Sequence, residues 1–406
     1  MAHSATIRLI TILLLVAFGS AAAFAQTKAY VTNEADGTVS VIDAATHTVT
    51  ATVPVGIAPL GVAVTPDGAL AYVANRGSND LSVISGATDT VVATVPVAPE
   101  PFFVAITPDG AFAYVTGGTV VIVISTATNT VTATIPTAGF PGDIAITPNG
   151  AFAYVPDLFF PRVFVIDIAT NTVVATISTG QTSQAEVAIT PDGAFAYVTT
   201  FFNVDMTVIS TATNTVVAHV TPGNNNSGGI DFTPNGAFAY VTNPSFRTVS
   251  AIDVATGTAA AIVPVGSEPI GLALNPAGTF AYAVNRDNRN VSVISTATNT
   301  VVTTIPVGNV PQFVAFPTRT PIRSLMAQVQ ALADGGTITQ TQADGLIDKL
   351  NQVLAKLDAG QTAAACNQLS SFISQVNAFV NSGALTQAEA QPLINAANAI
   401  EASNGC

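Results

Sequence analysis

The chain has no tryptophan, three histidines and two cysteines in 406 residues. So few soft and imidazole ligands exclude a multi-histidine copper site and a Cys-x-x-Cys-His haem attachment. Charge is scarce too: 9% of residues are charged, and the formal net charge is −13. Between residues 26 and 317 the basic side chains are Lys28, Arg76, Arg162, Arg247, Arg286 and Arg289, against 18 acidic ones. No basic stripe is available to neutralise phosphates, so nucleic acid and anionic lipid are not expected partners. What remains is 49% hydrophobic and dominated by Val, Thr and Ala, a composition suited to strands with buried faces.

The N-terminus is read apart from the rest. Arg8 precedes an apolar run from Leu9 to Phe18, and Ala23-Phe24-Ala25 offers a small-residue cleavage site before Gln26. This is the pattern of a signal peptide over 1–25, and the run is too short to serve comfortably as a membrane anchor. No later stretch reaches membrane-spanning length. A secreted, periplasmic or cell-surface location is expected for the remainder.

Tyrosine sets the organisation. The seven tyrosines are Tyr30, Tyr72, Tyr114, Tyr154, Tyr197, Tyr240 and Tyr282, separated by 42, 42, 40, 43, 43 and 42 residues. A period of about 40–45 residues with four strand-like segments per unit is the pattern of a propeller blade. One unit runs Gly61–Thr65, the turn Pro66-Asp67-Gly68, Ala71–Ala74, a polar loop, Leu81–Ser85, a second turn and Val91–Val97. The first unit opens at Ala29-Tyr30 without an innermost strand, while Pro311–Phe316 is an innermost strand with nothing after it. Pairing the two completes a seventh blade and removes the exposed edges. The expected fold is an all-β seven-bladed β-propeller over 26–317, closed by N- and C-terminal strands in one blade, with a small all-α domain over 318–406.

The segments Ala29-Tyr-Val-Thr-Asn33 and Ala239-Tyr-Val-Thr-Asn243, with their Thr-Pro-Asp/Asn-Gly turns, resemble YVTN-type β-propeller repeats of secreted and surface proteins in prokaryotes. The resemblance covers about residues 28–317. It implies the fold, whereas similar propellers include binding proteins, surface-layer components and lactonase-like enzymes.

The two faces of such a ring differ here. One carries Thr-Pro-Asp/Asn-Gly-Ala-Phe and Ser-Thr-Ala-Thr-Asn-Thr turns, nearly unchanged from unit to unit. The other carries loops that vary in length and chemistry. These hold Arg76, Arg162, Arg247, Arg286 and Arg289, with Phe159, Phe160, Phe201, Phe202 and Phe246 and the acids Asp80, Asp157, Asp205 and Asp287. Arginine and exposed aromatics are enriched at binding hot spots. Arginines facing the tunnel would suit an anionic group. The alternative is that the phenylalanines pack the loops while the arginines pair with neighbouring aspartates. Candidate binding residues are therefore Arg76, Asp80, Phe159, Phe160, Arg162, Phe201, Phe202, Asp205, Phe246, Arg247, Arg286, Asp287 and Arg289, centred on loops 156–162, 199–205 and 242–248. The repeat tyrosines are expected to be interblade packing residues.

Enzymatic chemistry finds little support. Without tryptophan, a quinoprotein-type docking site is not expected. His47 aligns with the Asn of the Thr-Asn-Thr turn and is expected to face solvent; His219 lies in an outer strand of another unit. A Ser-His-Asp constellation is thus disfavoured. Glu100, Asp143, Glu186 and Glu268 lie in loops that lead into innermost strands, where a lactonase-like hydrolase would place its carboxylates, but they form no recognisable ligand set. No cofactor is expected.

After Phe316 the periodicity becomes helical. Ile322, Leu325, Met326, Val329 and Leu332 share one face, and three further stripes follow up to Ile400. Thr339-x-x-Gln342 and Thr386-x-x-Glu389 read as capping boxes. In an oxidising compartment Cys366 and Cys406 would form a disulfide, worth about 3–4 kcal/mol on the chain-entropy account. The Leu-x-x-Lys-Leu at 346–350 and Asn-Gln-Leu-x-x-Phe-Ile at 367–373 resemble FIMAH modules of bacterial secreted proteins, which implies an accessory attachment role. The leading functional expectation is a monomeric extracellular binding or scaffold protein that engages a protein, glycan or small anionic ligand. A lactonase-like hydrolase and a purely structural surface protein are the alternatives.

Overall fold

The structure is a computed structural model. It describes residues 27–406 apart from 98–99, 182–183, 201–204, 222, 224–226, 318–319, 335, 359–360 and 404–405. The segment 1–25, read above as a signal peptide, and the residues Phe201 and Phe202 therefore lie outside the described residues.

Among the described residues the strands form seven four-stranded antiparallel sheets. Blades 1 to 6 follow chain order, beginning at Pro59, Pro101, Ala145, Gln184, Ile230 and Pro269. Blade 7 combines both ends: Pro311–Ala315 pairs with Lys28–Asn33, which continues to Thr38–Asp43 and Thr48–Pro54. The closure expected from the strand count is present.

Burial follows position in the blade. The second strands read almost wholly buried, as in Lys28–Asn33, while the outermost strands alternate, as in Thr90–Pro96. The apolar side chains gather between blades rather than within them. Seven clusters of eight to eleven buried residues each draw on two neighbouring blades. One such cluster joins Tyr72 and Leu81 of blade 1 to Val104 and Val115 of blade 2. At about 1.5–3 kcal/mol per buried aliphatic or aromatic side chain, these layers dominate the energetics. No blade has a core of its own.

Most of the tyrosines form a polar joint at the edge of a layer. Tyr72, Tyr114, Tyr154 and Tyr240 each donate a 2.6 Å hydrogen bond to the side-chain oxygen of Asn129, Asn171, Asn214 and Asn299 in the next blade. The acceptor occupies the turn between the third and fourth strands in the left-handed region, at φ 52–54°. Asn tolerates that region and still offers an oxygen, so one residue serves both the turn and the joint. The equivalent places in the other three blades hold Gly257, Asp89 and His47, all at positive φ. Asp89 is paired with Lys28 at 2.8 Å. His47 Nδ1 lies 2.8 Å from the Tyr282 hydroxyl, with its ring edge-on to Phe280. His47 is thus half-buried at the seam between blades 6 and 7, not the solvent-facing residue its alignment with a turn suggests.

The other turn on this face is also a joint. Thr65 Oγ1 donates to Asp67 and accepts from Leu70 N, closing the Thr-Pro-Asp-Gly turn. A Cβ at Gly110 would meet the Pro66 ring at 3.3 Å, and Gly68 stands likewise against Pro317 at 3.4 Å. Each of these glycines is at φ above 70°, where only glycine is unstrained.

The C-terminal segment forms α1 (Thr320–Asp334), α2 (Gln340–Asp358), α3 (Thr362–Asn381) and α4 (Gln387–Ser403). Their apolar stripes converge on one core that includes Leu325, Leu350, Leu354, Leu369, Phe372 and Leu393. Both capping boxes form: Gln342 and Glu389 accept from the Thr339 and Thr386 amides, and each threonine hydroxyl accepts in return. Cys366 and Cys406 are disulfide-bonded across 40 residues. No helix among the described residues is long and apolar enough to cross a membrane. The helices touch the repetitive propeller face: Ala277 packs against their core, and Thr27 Oγ1 reaches Leu357 O at 3.5 Å.

Two outcomes follow for the joints. Tyr114→Phe should lower unfolding free energy by about 0.5–1.5 kcal/mol. Tyr197→Phe, opposite Gly257, should cost less than about 0.5 kcal/mol. Chemical denaturation of both variants checks the contrast. For His47, burial holds the pKa below the ordinary imidazole value while Asp43 acts against it. The unfolded chain then takes up a proton near pH ~6.5 before the folded one does, so stability present above that pH is lost as pH falls. His47→Asn should therefore show a smaller drop in melting temperature than the wild type between pH 7 and pH 5; parallel drops would contradict this.

Candidate functional site

The variable face is built on short loops whose base is fixed in four blades by a buried asparagine. Asn33, Asn75, Asn243 and Asn285 end their strands and donate to the serine seven residues on at 2.8–3.0 Å. Gly56, Gly266 and Gly308 lie so close over Asn75, Asn285 and Asn33 that a Cβ would stand 2.6–2.7 Å from the carboxamide. Blades 2, 3 and 4 carry Gly117, Asp157 and Thr200 near this place, and there the loops diverge.

Blade 3 diverges most. Asp157 is fully buried and accepts from Arg162 Nε at 2.9 Å and from the Phe159 and Phe160 amides at 3.0 and 3.2 Å. Arg162 Nη2 also donates to Ala138 O at 2.8 Å, and its guanidinium carbon lies 5.0 Å from the Phe160 and Phe164 ring centres. The clamp holds the loop in one shape and leaves its aromatics outside: Phe159 is 63% exposed, Phe160 52% and Phe140 45%. The Phe140 and Phe159 rings meet edge to face at 5.2 Å. Phe140 escaped the sequence reading because it lies in the segment leading into the inner strand rather than in the loop after the second strand.

The arginines do not converge. Arg76 reaches Glu100 at 3.8 Å and stacks on Phe102; Arg286 pairs with Glu268 at 3.3 Å and Glu34 at 3.9 Å. Arg162 serves its own loop and begins the strand Arg162–Asp167. Arg247 and Arg289 are exposed and left-handed, and neither has an ion pair among the described residues. Phe246 is 51% exposed beside Arg247 on a 3-10 turn. The acids are largely committed as well. Asp80 accepts from Asn75 at 2.7 Å, Asp205 from Thr221, and Asp287 from Ser267.

The axis presents a different surface. Counting from each innermost strand, one register holds Gly61, Phe103, Asp143, Glu186, Gly229, Gly271 and Phe313. The Phe103 and Phe313 rings meet at 4.9 Å, over Gly61, where a Cβ would stand 2.6 Å from Phe103 Cα. Opposite them, Asp143 accepts from Val187 N of the next blade at 3.0 Å, and Glu186 receives the Ile230 amide. Burial pushes the Asp143 carboxyl up to about 7. Burial, with Asp143 beside it, lifts Glu186 well above the usual carboxylate range. Glu186 lies inside the strand Gln184–Ile189 rather than in a loop. Glu100 and Glu268 stand apart from both, on arginines at the rim.

Two residues further along each strand the register reads Ala63, Ala105, Ala145, Ala188, Asp231, Ala273 and Ala315. These line an axial cavity of about 300 Å³. Its walls run on to Pro108, Pro148, Pro191 and Pro317 at the repetitive face and include no residue of the register above. Among the described residues Asp231 is the one charged residue on its wall. Among the described residues, no group of three or more His, Cys, Asp or Glu side chains is placed to share a metal ion.

Comparison with known proteins accords with this architecture. The model of the YNCE-like beta-propeller family matches residues 9–321, and the FIMAH domain model matches residues 322–402. Nothing among curated proteins matches the chain. Of solved structures, hydrazine synthase of Kuenenia stuttgartiensis is similar at 28% identity and TM-score 0.61, covering 66% of this chain and 92% of that one. A functionally unknown protein from Desulfotomaculum acetoxidans DSM 771 is similar at 21% identity and TM-score 0.65, with 72% and 99% covered. A proposed 6-phosphogluconolactonase from Bacteroides uniformis ATCC 8492 shares the fold at 18% identity and TM-score 0.60, with 72% and 99% covered. With its seven jointed blades and its helical appendage, the chain belongs to the YNCE-like beta-propeller family and carries a FIMAH domain at its C-terminal end.

Proposed function

We propose that this is an exported binding protein whose variable propeller face engages a protein or a glycan, with the aromatics of blade 3 as anchor. The observation that carries the reading is the exposure of Phe159 and Phe160 on a loop that the Arg162–Asp157 clamp holds in one shape, with the exposed Phe140 of the adjoining segment edge-on to Phe159. Exposed rings fixed before contact lose little conformational entropy on binding, and aromatic clusters of this kind mark interaction surfaces. Phe246 with Arg247, and Arg76 with Phe102, extend the same face across further blades. The five arginines sit around the rim, three of them already paired, so aromatic and apolar contact outweighs capture of a small anion. Export fits the disulfide, which persists in oxidising compartments, and the Arg8-led apolar segment at the N-terminus. The FIMAH domain, on the opposite face, leaves the variable face free for its partner.

The test is Phe159→Ala with Phe160→Ala, which removes both rings and keeps Asp157 and Arg162. Binding of the purified chain to cell-envelope proteins and to a glycan array should fall at least ~10-fold in whichever arm binds the wild type. Unfolding free energy should stay within about 0.5 kcal/mol of wild type, as for surface changes generally. Unchanged binding in both arms would overturn the reading.

A further inference from the structure

At the axis the acids fall in three successive blades. Where blades 3 and 4 hold Asp143 and Glu186, the other five hold Gly61, Phe103, Gly229, Gly271 and Phe313. Asp231 of blade 5 stands two residues further along its strand. Each acid accepts a backbone amide from the following blade: Asp143 from Val187 at 3.0 Å, Glu186 from Ile230, and Asp231 from Leu274 at 2.8 Å. Together they form a stair of ties from blade 3 to blade 6.

The stair runs where the inner wall is thinnest. Blade 3 has only Ala145–Ile146 as its innermost strand and blade 5 only Ile230–Phe232, whereas the others run five or six residues. In blade 3 that strand is held to the next by two residue pairs, Ala145–Tyr154 and Ile146–Ala153. The Asp143 bond to blade 4 thus adds to a short ladder, and a repulsion between Asp143 and Glu186 acts on the same short ladder.

The elements packed around the pair supply no counter-charge. The inner strand of blade 2, Pro101–Ile106, has no ionisable residue, and that of blade 5 adds Asp231. The second strands of blades 3 and 4 add Tyr154 and Tyr197, which burial keeps neutral, pushing Tyr154 up to about 12 and Tyr197 the same way. Asp157, which follows Pro156, is paired with Arg162. Among the described residues no basic side chain forms an ion pair with Asp143 or Glu186. Two like charges in such a place repel more strongly than they would in water.

We infer that Asp143 and Glu186 act as a coupled pair that makes the inner wall of blades 3 and 4 respond to pH, closed while the pair retains a proton and loosened when both carboxyls are ionised. A protonated carboxyl still accepts an amide through its carbonyl oxygen, so the ties persist at the acid end. Burial raises both groups, Asp143 to about 7, and Asp143 and Asp231 lift Glu186 further. The unfolded chain gives up these protons near pH ~4. Between there and about pH 7 the folded chain holds protons that the unfolded one lacks, so the pair's contribution to stability falls as pH rises through that window. His47, at the seam of blades 6 and 7, acts in the opposite sense.

The experiment uses the full chain and Asp143→Asn, which removes one charge and keeps an acceptor for Val187 N. Infrared titration of the wild type should show a protonated carboxyl that persists above pH ~5.5, where ordinary carboxyls are ionised. In Asp143→Asn that signal should shrink, and the remaining group should ionise at lower pH. Amide exchange in 184–189, corrected for the chemical rate, should be at least ~5-fold faster at pH 8 than at pH 6 in the wild type and nearly equal in the variant. Asp143→Asn should melt above the wild type at pH 8 and level with it at pH 5; His47 contributes alike to both chains and cancels. The Phe159→Ala, Phe160→Ala variant should titrate as the wild type does, so this inference and the binding role fail separately. Ionisation of every wild-type carboxyl below pH ~5.5, or equal exchange in 184–189 at the two pH values, would overturn the inference. Should the variant fail to fold, the wild-type infrared titration decides.

Discussion

Everything in this protein depends on blades having no interior of their own. The buried residues of each sheet lie against the neighbouring sheet, so a blade is stable only between two others and the ring is stable only when closed. Closure is supplied by blade 7, in which Pro311–Ala315 pairs with Lys28–Asn33. The hydrophobic layers supply most of the energy, since each holds eight or more buried apolar side chains. The tyrosine–asparagine joints are worth about 1 kcal/mol each. Their consequence is geometric: where it forms, a directional bond at the edge of a layer fixes how one blade is set against the next.

That constraint explains why the two faces differ. The Thr-Asn-Thr turn holds the acceptor for the preceding blade's tyrosine, and the Thr-Pro-Asp-Gly turn seats its glycine on the preceding blade's proline. Both turns are on one face and both are joints, so that face repeats. Among the described residues the loops opposite carry no such joint repeated from blade to blade, and their chemistry is free to vary. Variation by itself is therefore permission rather than evidence of binding. What singles out blade 3 is that its loop is held by a buried aspartate and a guanidinium at 2.9 Å and still leaves the Phe159 and Phe160 rings in solvent, beside Phe140. A loop that only needed to close would have turned those rings inward.

The fold was legible because its signal is periodic. Tyr30 to Tyr282 mark the repeat, the missing innermost strand at Ala29 and the surplus one at Phe316 close the count, and Thr339 and Thr386 announce the helices they cap. Partners across blades were not legible. Asn171 reads as a turn residue, and only the ring brings it to Tyr114, 57 positions away. His47 was misread for the same reason: its alignment gave the turn but not the Tyr282 hydroxyl 235 positions distant. The arginines illustrate the limit for the site. Their loops followed from the sequence, whereas Arg286 reaching Glu34 across the seam did not.

Asp231 was in plain view by the same logic that revealed the tyrosines. Six repeats place alanine at its register, and departures from a repeat deserve the weight usually given to the repeat itself. A closed ring makes each innermost position equivalent by symmetry, so packing alone has no reason to choose aspartate once and alanine six times. The Asp231 carboxylate accepts the Phe232 amide of its own blade and the Leu274 amide of the next, so the exception ties blade 5 to blade 6 along the wall of the channel.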